Sequence, residues 1–570
     1  MPSSSELNLR PRLTNTWIKA ISALLLLLIA ACAPVKPAAV AGEGSTTAIA
    51  VLPTSAPATQ AHTGGILRIG QAAADLGTLD PDYVSGTQDR ALVDMVFNGL
   101  LRYKPGDATV FEPDLATQLP TPTTDAAGKQ VWQFSLRPGV MCHPSELAAA
   151  YELTSDDVLY SFTKAADKNT SAYASDYAGM TFAAPDPHTF TITLDKPQST
   201  ALFYPRVANY SGGYVVCRQA AEKLGPEGLK THPVGTGPFR FKDYSPGEKV
   251  DLVANDAYFR GRPQLDGIEY RYMADLSSRE LALRSGQLDL IYGQADDNWI
   301  YQMSSAPNVN VDVFGVGEVS TIYFNLNKPP FDNLAVRQAV VSALNRDEFL
   351  ALYGKRAANK VFSPVPDAFM TGGLSEQELA ARSLDYGYDP ARARRLLAEA
   401  GLENGFEFNV VASEMPAYRV IYESLQAQLA RVGVKMNVDV VDHATMHDQI
   451  RKDVNPLVVY IAFRPTADVY LTQFFHSDSI VVTGKNPNTN FAHYASIDEQ
   501  IDSARNEPDA SKQATLWKQA QVQALQDVVA YPIQYTNQVY ARSTAVDYGH
   551  DLTSVIQLYP GIDERTTVRK

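Results

Sequence analysis

The residues of this chain that could do chemistry are few and scattered. Its three cysteines stand at 32, 142 and 217, with no CxxC pair and no Cys/His spacing suited to a metal. His443 and His447 lie four apart between Asp442 and Asp448, so a helix would bring both imidazoles to one face, where a metal ion could be gripped. With nine histidines in the sequence, ordinary polarity on an exposed helix is the favoured reading, and no metal site is assigned. No GxSxG, HExxH or P-loop occurs, so neither an enzyme nor a cofactor is expected. Gly235 and Gly237 are followed at once by Pro238 with no third glycine, which suits a turn better than a phosphate cradle. Trp299, in Asp296-Asp297-Asn298-Trp299, offers a ring face for a sugar or an aromatic ligand. The stretch Tyr460 to Leu471, YIAFRPTADVYL, sets Arg464 beside Phe463 and close to Asp468. Arginine only donates hydrogen bonds, so a cation there would suit a carboxylate, a sulfate or a cluster of sugar hydroxyls better than an amine.

The N-terminal residues fix the compartment in which such a site would work. Arg10, Arg12 and Lys19 precede an apolar run from Ile21 to Ala31 that stops at Cys32. About eleven residues at ~1.5 Å each cannot cross a ~30 Å hydrocarbon layer, so residues 1–31 read as a secretion signal. The segment Ile29-Ala30-Ala31-Cys32 resembles a bacterial lipobox, whose cysteine is acylated. Residues 32–63 are rich in Ala, Pro, Thr and Ser and poor in large side chains, so they are expected to form a disordered tether. The expected location is therefore the extracytoplasmic face of a cell membrane, held there by lipid. In that oxidising setting a Cys142 to Cys217 disulfide is favoured over two separate buried thiols.

Residues 64–570 are too many for one hydrophobic core and enough for two or three lobes. Their charges, part of 49 basic and 63 acidic residues in the whole chain, are spread along the sequence, which argues against a nucleic-acid partner. Local patterns mix both kinds of element. Ile66 to Ile69, Val131 to Leu136 and Thr189 to Leu194 read as strands, while Arg90 to Leu101, Thr154 to Lys164, Ser277 to Ser285, Leu334 to Leu344 and Ala391 to Ala400 read as helices. Thr154 and Asp157 form a capping pair, Gly401 stops its helix, and Arg337 is expected on a polar helix face as an ion-pair partner. The mixture predicts α/β or α+β lobes and not an all-helical or all-β body.

In order and spacing, several of these segments resemble the extracellular solute-binding proteins of the oligopeptide, dipeptide and nickel class, family 5, that serve ABC transporters. The matching pieces are Pro233 to Phe241, Ser285 to Leu290, Asn325 to Arg337, Ser363 to Pro366 and Tyr388 to Gly405, with weaker matches at Leu79 to Pro81 and Asn490 to Asp502. The resemblance implies a two-lobed periplasmic-binding-protein-like fold with a hinge and an extra domain inserted in the first lobe. The first lobe would take 64–103, 204–318 and 535–570, the insertion 104–203, and the second lobe 319–534. It further implies a monomeric, lipid-anchored component of an importer, which captures a peptide-like or other polar solute in the interlobe cleft and delivers it to permease subunits. The alternatives are a metal-chelate or oligosaccharide binder of the same fold, or a ligand sensor. By the same resemblance Ser85, Gly86 and Thr87 belong to a loop that faces ligand, and Tyr323 and Asn325 stand where the second lobe begins. In peptide-binding relatives an aspartate that pairs with the peptide's ammonium group corresponds to Phe463 here. The carboxylate is missing, and neither Arg464 nor Asp468 replaces it in register.

Overall fold

The computed structural model describes residues 64–569, apart from Ser211 and Val316. The expected signal at 1–31, the lipidation site Cys32 and the tether at 32–63 lie outside the described residues.

Two sheets organise the chain. The larger has seven strands, in the order Phe239–Ser245, Lys249–Ala254, Gly267–Tyr272, Ile66–Gln71, Leu290–Tyr292, Gln538–Ser543 and Val309–Phe314. Its strand Ile66–Gln71 runs parallel to both neighbours and is buried from its second position at alternate and then successive residues, as a central strand requires. The second sheet has four strands, Ala358–Lys360, Ala530–Thr536, Val319–Phe324 and Leu457–Ala462. Val319–Phe324 is buried at every position and pairs antiparallel on both sides. A separate four-stranded antiparallel sheet, built from Thr123–Thr124, Gln130–Ser135, Thr189–Leu194 and Met180–Asp186, carries its own core around Trp132, Phe134 and Phe190. Trp132 stacks on Phe203 with centroids 4.1 Å apart, and burial of each such ring contributes about 1.5–3 kcal/mol.

The chain passes between the two main sheets twice, from Val309–Phe314 into Val319–Phe324 and from Ala530–Thr536 into Gln538–Ser543. At this double crossing the backbones touch. A Cβ on Gly317 would lie 1.4 Å from the Thr536 carbonyl oxygen, so only glycine fits, and Thr536 N–H donates to Glu318 O at 3.0 Å. These two adjacent crossovers form the hinge of a two-lobed α/β clamp.

Local chemistry accounts for most element ends. The capping box of Thr154 and Asp157 starts the helix Ser155–Ala166, and Gly401 takes φ 75° just beyond Pro390–Glu399. The helix expected over Arg90 to Leu101 runs instead over Thr87–Val96 and gives way to strands at Asn98–Gly99 and Leu101–Lys104. Its end is set from outside: Gly237 N–H donates to Val96 O at 2.8 Å, and a Cβ on Gly235 would sit 2.3 Å from that same oxygen. Arg337 also departs from expectation. It is 6 % exposed, and instead of an acid it meets the carbonyls of Phe331, Asp332, Asp527 and Val528, so it ties a helix start to a distant turn. Cys142 and Cys217 form a disulfide, with Cα atoms 5.9 Å apart.

Candidate functional site

Between the two lobes and the inserted domain lies a cavity of about 410 Å³, within the size range of small-molecule sites. Three parts of the chain line it: Ser85 and Arg90, then Tyr173 to Tyr177 with Tyr210, then Phe463 to Thr466 with Asp468.

The loop carrying Ser85 is pinned from behind. Lys164 Nζ lies 2.7 Å from Asp80 and 2.6 Å from Asp82, both carboxylates being buried, and Tyr173 Oη donates to Val84 O. Gly86 then caps the helix Thr87–Val96, which presents Arg90 to the cavity. One lysine faces two acids here. Desolvation raises the Asp82 pKa to about 7, with Lys164 opposing the shift and Asp80 adding to it. The folded protein thus holds this proton more tightly than the unfolded chain does, so this group's contribution to stability falls as pH rises from about 4 to about 7. Asp82→Asn is expected to shift the stability difference from wild type in the variant's favour by about 1.4 kcal/mol per pH unit across that window, read from urea midpoints. A difference that stays flat with pH would refute the assignment.

Three arginines line the cavity, Arg90, Arg206 and Arg464, and Arg206 donates from Nη1 to Gln198 Oε1 at 2.8 Å. Arg90 lies over the Tyr210 ring at 5.2 Å, and its buried Nε has no hydrogen-bond partner among the described residues. Arg464 follows the strand Leu457–Ala462 and precedes the helix Ala467–Phe475, whose N-cap is Thr466. It lies over the Phe474 ring at 5.0 Å, donates from Nε to Gln473 Oε1, and donates from Nη1 to Phe463 O at 2.9 Å. None of the three has a carboxylate at ion-pair distance among the described residues. Asp468 is 5 % exposed and is neutralised by Arg505 at 3.2 Å. Asp176 also lines the cavity; desolvation raises its pKa, Arg206 opposes the rise and Asp468 reinforces it.

Of the sequence-expected residues, Ser85, Phe463, Arg464 and Asp468 line the cavity together. Phe463 also packs against the core of the inserted domain. Gly86 and Thr87 serve as the cap and first residue of the helix behind it. Trp299, Tyr323 and Asn325 lie off the cavity. The Trp299 indole donates to Glu280 Oε1 at 2.6 Å inside the first lobe, and Asn325 donates to Asp453 Oδ1 at 2.6 Å. Tyr323 stacks on Phe474 at 5.1 Å, one ring removed from Arg464. The fold had to reveal Arg90, Tyr173, Asp176 and Tyr210, although the hydrophobic run that follows Arg90 was legible as a helix. His443 and His447 do share a helix face, their Nε2 atoms 3.1 Å apart, but Arg451 donates to His447 Nδ1. Among the described residues no group of three or more metal-ligating side chains forms.

Two lobes on a double hinge with a cavity of mixed charge between them have the form of a clamp. Residues 110–480 match the family model for bacterial extracellular solute-binding proteins, family 5, and the chain belongs to that family, whose members are binding proteins of ABC importers. It is 29 % identical to heme-binding protein A of Haemophilus influenzae, over 79 % of this chain and 83 % of that one. It is 26 % identical to the dipeptide-binding protein of Escherichia coli, over 77 % and 83 %. Among solved structures, MoaA of A. tumefaciens R10 in complex with mannopinic acid aligns with TM-score 0.74 and 36 % identity, covering 90 % of this chain and all of that one. Among the described residues no helix is long and apolar enough to cross a membrane.

Proposed function

We propose that this protein, held by an acylated Cys32 to the outer face of the cell membrane, captures a small organic acid between its lobes and delivers it to the permease subunits of an ABC importer. The observation that carries this reading is the pair Arg90 and Arg464, two guanidiniums facing one cavity with no acid at ion-pair distance. A carboxylate supplied by the cargo would satisfy both, and closure would strengthen the pairing by excluding water. The complex of the 36 % identical MoaA with mannopinic acid supports an acid of that kind over a simple dipeptide, as does the absence of a carboxylate at Phe463. On this reading the first lobe comprises 64–103, 204–318 and 535–570, the insertion 104–203 and the second lobe 319–534, a division supported by which strands share a sheet.

The test is a thermal-shift screen of mannopinic acid, dipeptides and nickel chelates. An acidic cargo at a hundredfold excess over its Kd should stabilise the protein by about 2.7 kcal/mol. Stabilisation by dipeptides or nickel chelates alone would overturn the proposal.

A further inference from the structure

On the division of the chain given above, the inserted domain is fixed to the first lobe at many points. Arg260 pairs with Asp114 at 2.9 Å, Asp157 accepts from Arg218 N–H at 2.9 Å, His143 Nε2 lies 3.0 Å from Gly237 O, and Lys164 binds Asp80 and Asp82. Toward the second lobe the packing is open. Cavities of about 320, 410 and 860 Å³ lie along that boundary, and the helix Thr200–Val207 contributes side chains to the walls of all three.

Across this gap Ser199 Oγ donates to Gln513 Oε1 at 2.6 Å, and among the described residues it is the one hydrogen bond that joins residues 104–203 to residues 319–534. Each end is anchored in its own body. On the inserted side the Gln130 amide brackets Gln198, donating to its carbonyl at 2.9 Å and accepting from its N–H at 2.8 Å, so the residue before Ser199 is held to the strand Gln130–Ser135. On the other side Gln513 Nε2 donates to Ala504 O at 2.8 Å. Ser199 and Gln513 are fully buried, and the Ser199 hydroxyl also accepts from Leu202 N–H at 3.3 Å, so one arrangement of the two bodies satisfies these groups. Phe463 of the second lobe packs in return against the core of the insertion.

Separating the lobes would expose both polar side chains to water. The net gain on closing is therefore that of one neutral hydrogen bond, enough to bias the open and closed states and too little to lock them.

We infer that Ser199 and Gln513 form a clasp that draws the second lobe against the inserted domain before any cargo arrives. They are positioning residues. By holding the lobes together they keep the walls that carry Arg90 and Arg464 facing each other, so less of the cargo's binding energy is consumed in closure. The inference concerns closure alone and stands whatever the chemistry of the cargo.

Pulsed electron–electron resonance on the full chain, with no cargo added, tests it. Spin labels on p-acetylphenylalanine at the exposed positions Ala127 and Lys485 report the distance from the insertion to the second lobe, and labels at Ala127 and Glu248 report that from the insertion to the first. The wild-type protein should show a closed population for the Ala127 and Lys485 pair. Ser199→Ala and Gln513→Met should each lower the ratio of closed to open by roughly 2- to 12-fold, the range for one buried neutral hydrogen bond. The distance between Ala127 and Glu248 should stay the same throughout. Ser199→Ala leaves Gln513 and its bond to Ala504 in place, so the test survives if the buried Gln513→Met does not fold. A wild-type protein that is wholly open, or a ratio unchanged in the variants, would overturn the clasp. So would a shift in the Ala127 and Glu248 distance, because the insertion would then have come loose from the first lobe.

Discussion

Replacing Arg464 with methionine is expected to raise the Kd of an acidic cargo by roughly 30- to 150-fold, the equivalent of about 2 to 3 kcal/mol for a buried charge-assisted pair. Methionine keeps most of the apolar contact with Phe474, so the loss would report the charge and its fork of donors, not packing. Arg464→Lys should recover only part of the affinity, because a point charge cannot meet a carboxylate through two parallel hydrogen bonds while its stem still covers the ring. Arg90→Met should act in the same direction. Its cation approaches the cavity from the first lobe and that of Arg464 from the second, so the carboxylate of the cargo would bridge the lobes and favour the closed state. The loss should therefore appear mainly as faster release. Isothermal titration with mannopinic acid would measure it, and unchanged affinity in both variants would remove the two arginines from the site.

The second large effect concerns stability. Cys142→Ala with Cys217→Ala should cost about 4 kcal/mol, from the loop-entropy relation applied to a sequence separation of 75. Reduction of the wild-type protein should lower its denaturant midpoint in the same way. The bond also has a functional side, because the stretch it closes contains Tyr173, Asp176, Arg206 and Tyr210, which line the cavity. Loss of the disulfide should therefore weaken cargo binding as well as folding, with Kd rising even at temperatures where the variant remains folded. A variant as stable as wild type would show that contacts such as Ser199 with Gln513 hold the insertion unaided.

Much of this molecule is legible in its residue order. Period-two alternation marks Thr189 to Leu194 as a strand, and the structure gives the same limits; Thr154 with Asp157 marks a helix start because those side chains satisfy amide groups within four residues. The ordered family segments carry the two-lobed fold, and Phe463 and Arg464, singled out from the sequence, both line the cavity.

Other features were decided only when distant segments met. The helix expected to reach Leu101 ends at Val96 because Gly235 and Gly237 press on its last turn, an interaction more than a hundred residues long-range that no local pattern encodes. Trp299 and Asn325 carry suitable chemistry for a cleft, yet each has a better partner inside its own lobe, in Glu280 and Asp453. Arg90, Asp176 and Tyr210 are unremarkable in sequence and meet at one cavity because packing brings three separated segments together. Local order sets which backbone groups are satisfied nearby; which charges are left facing one another across a gap depends on packing between distant segments.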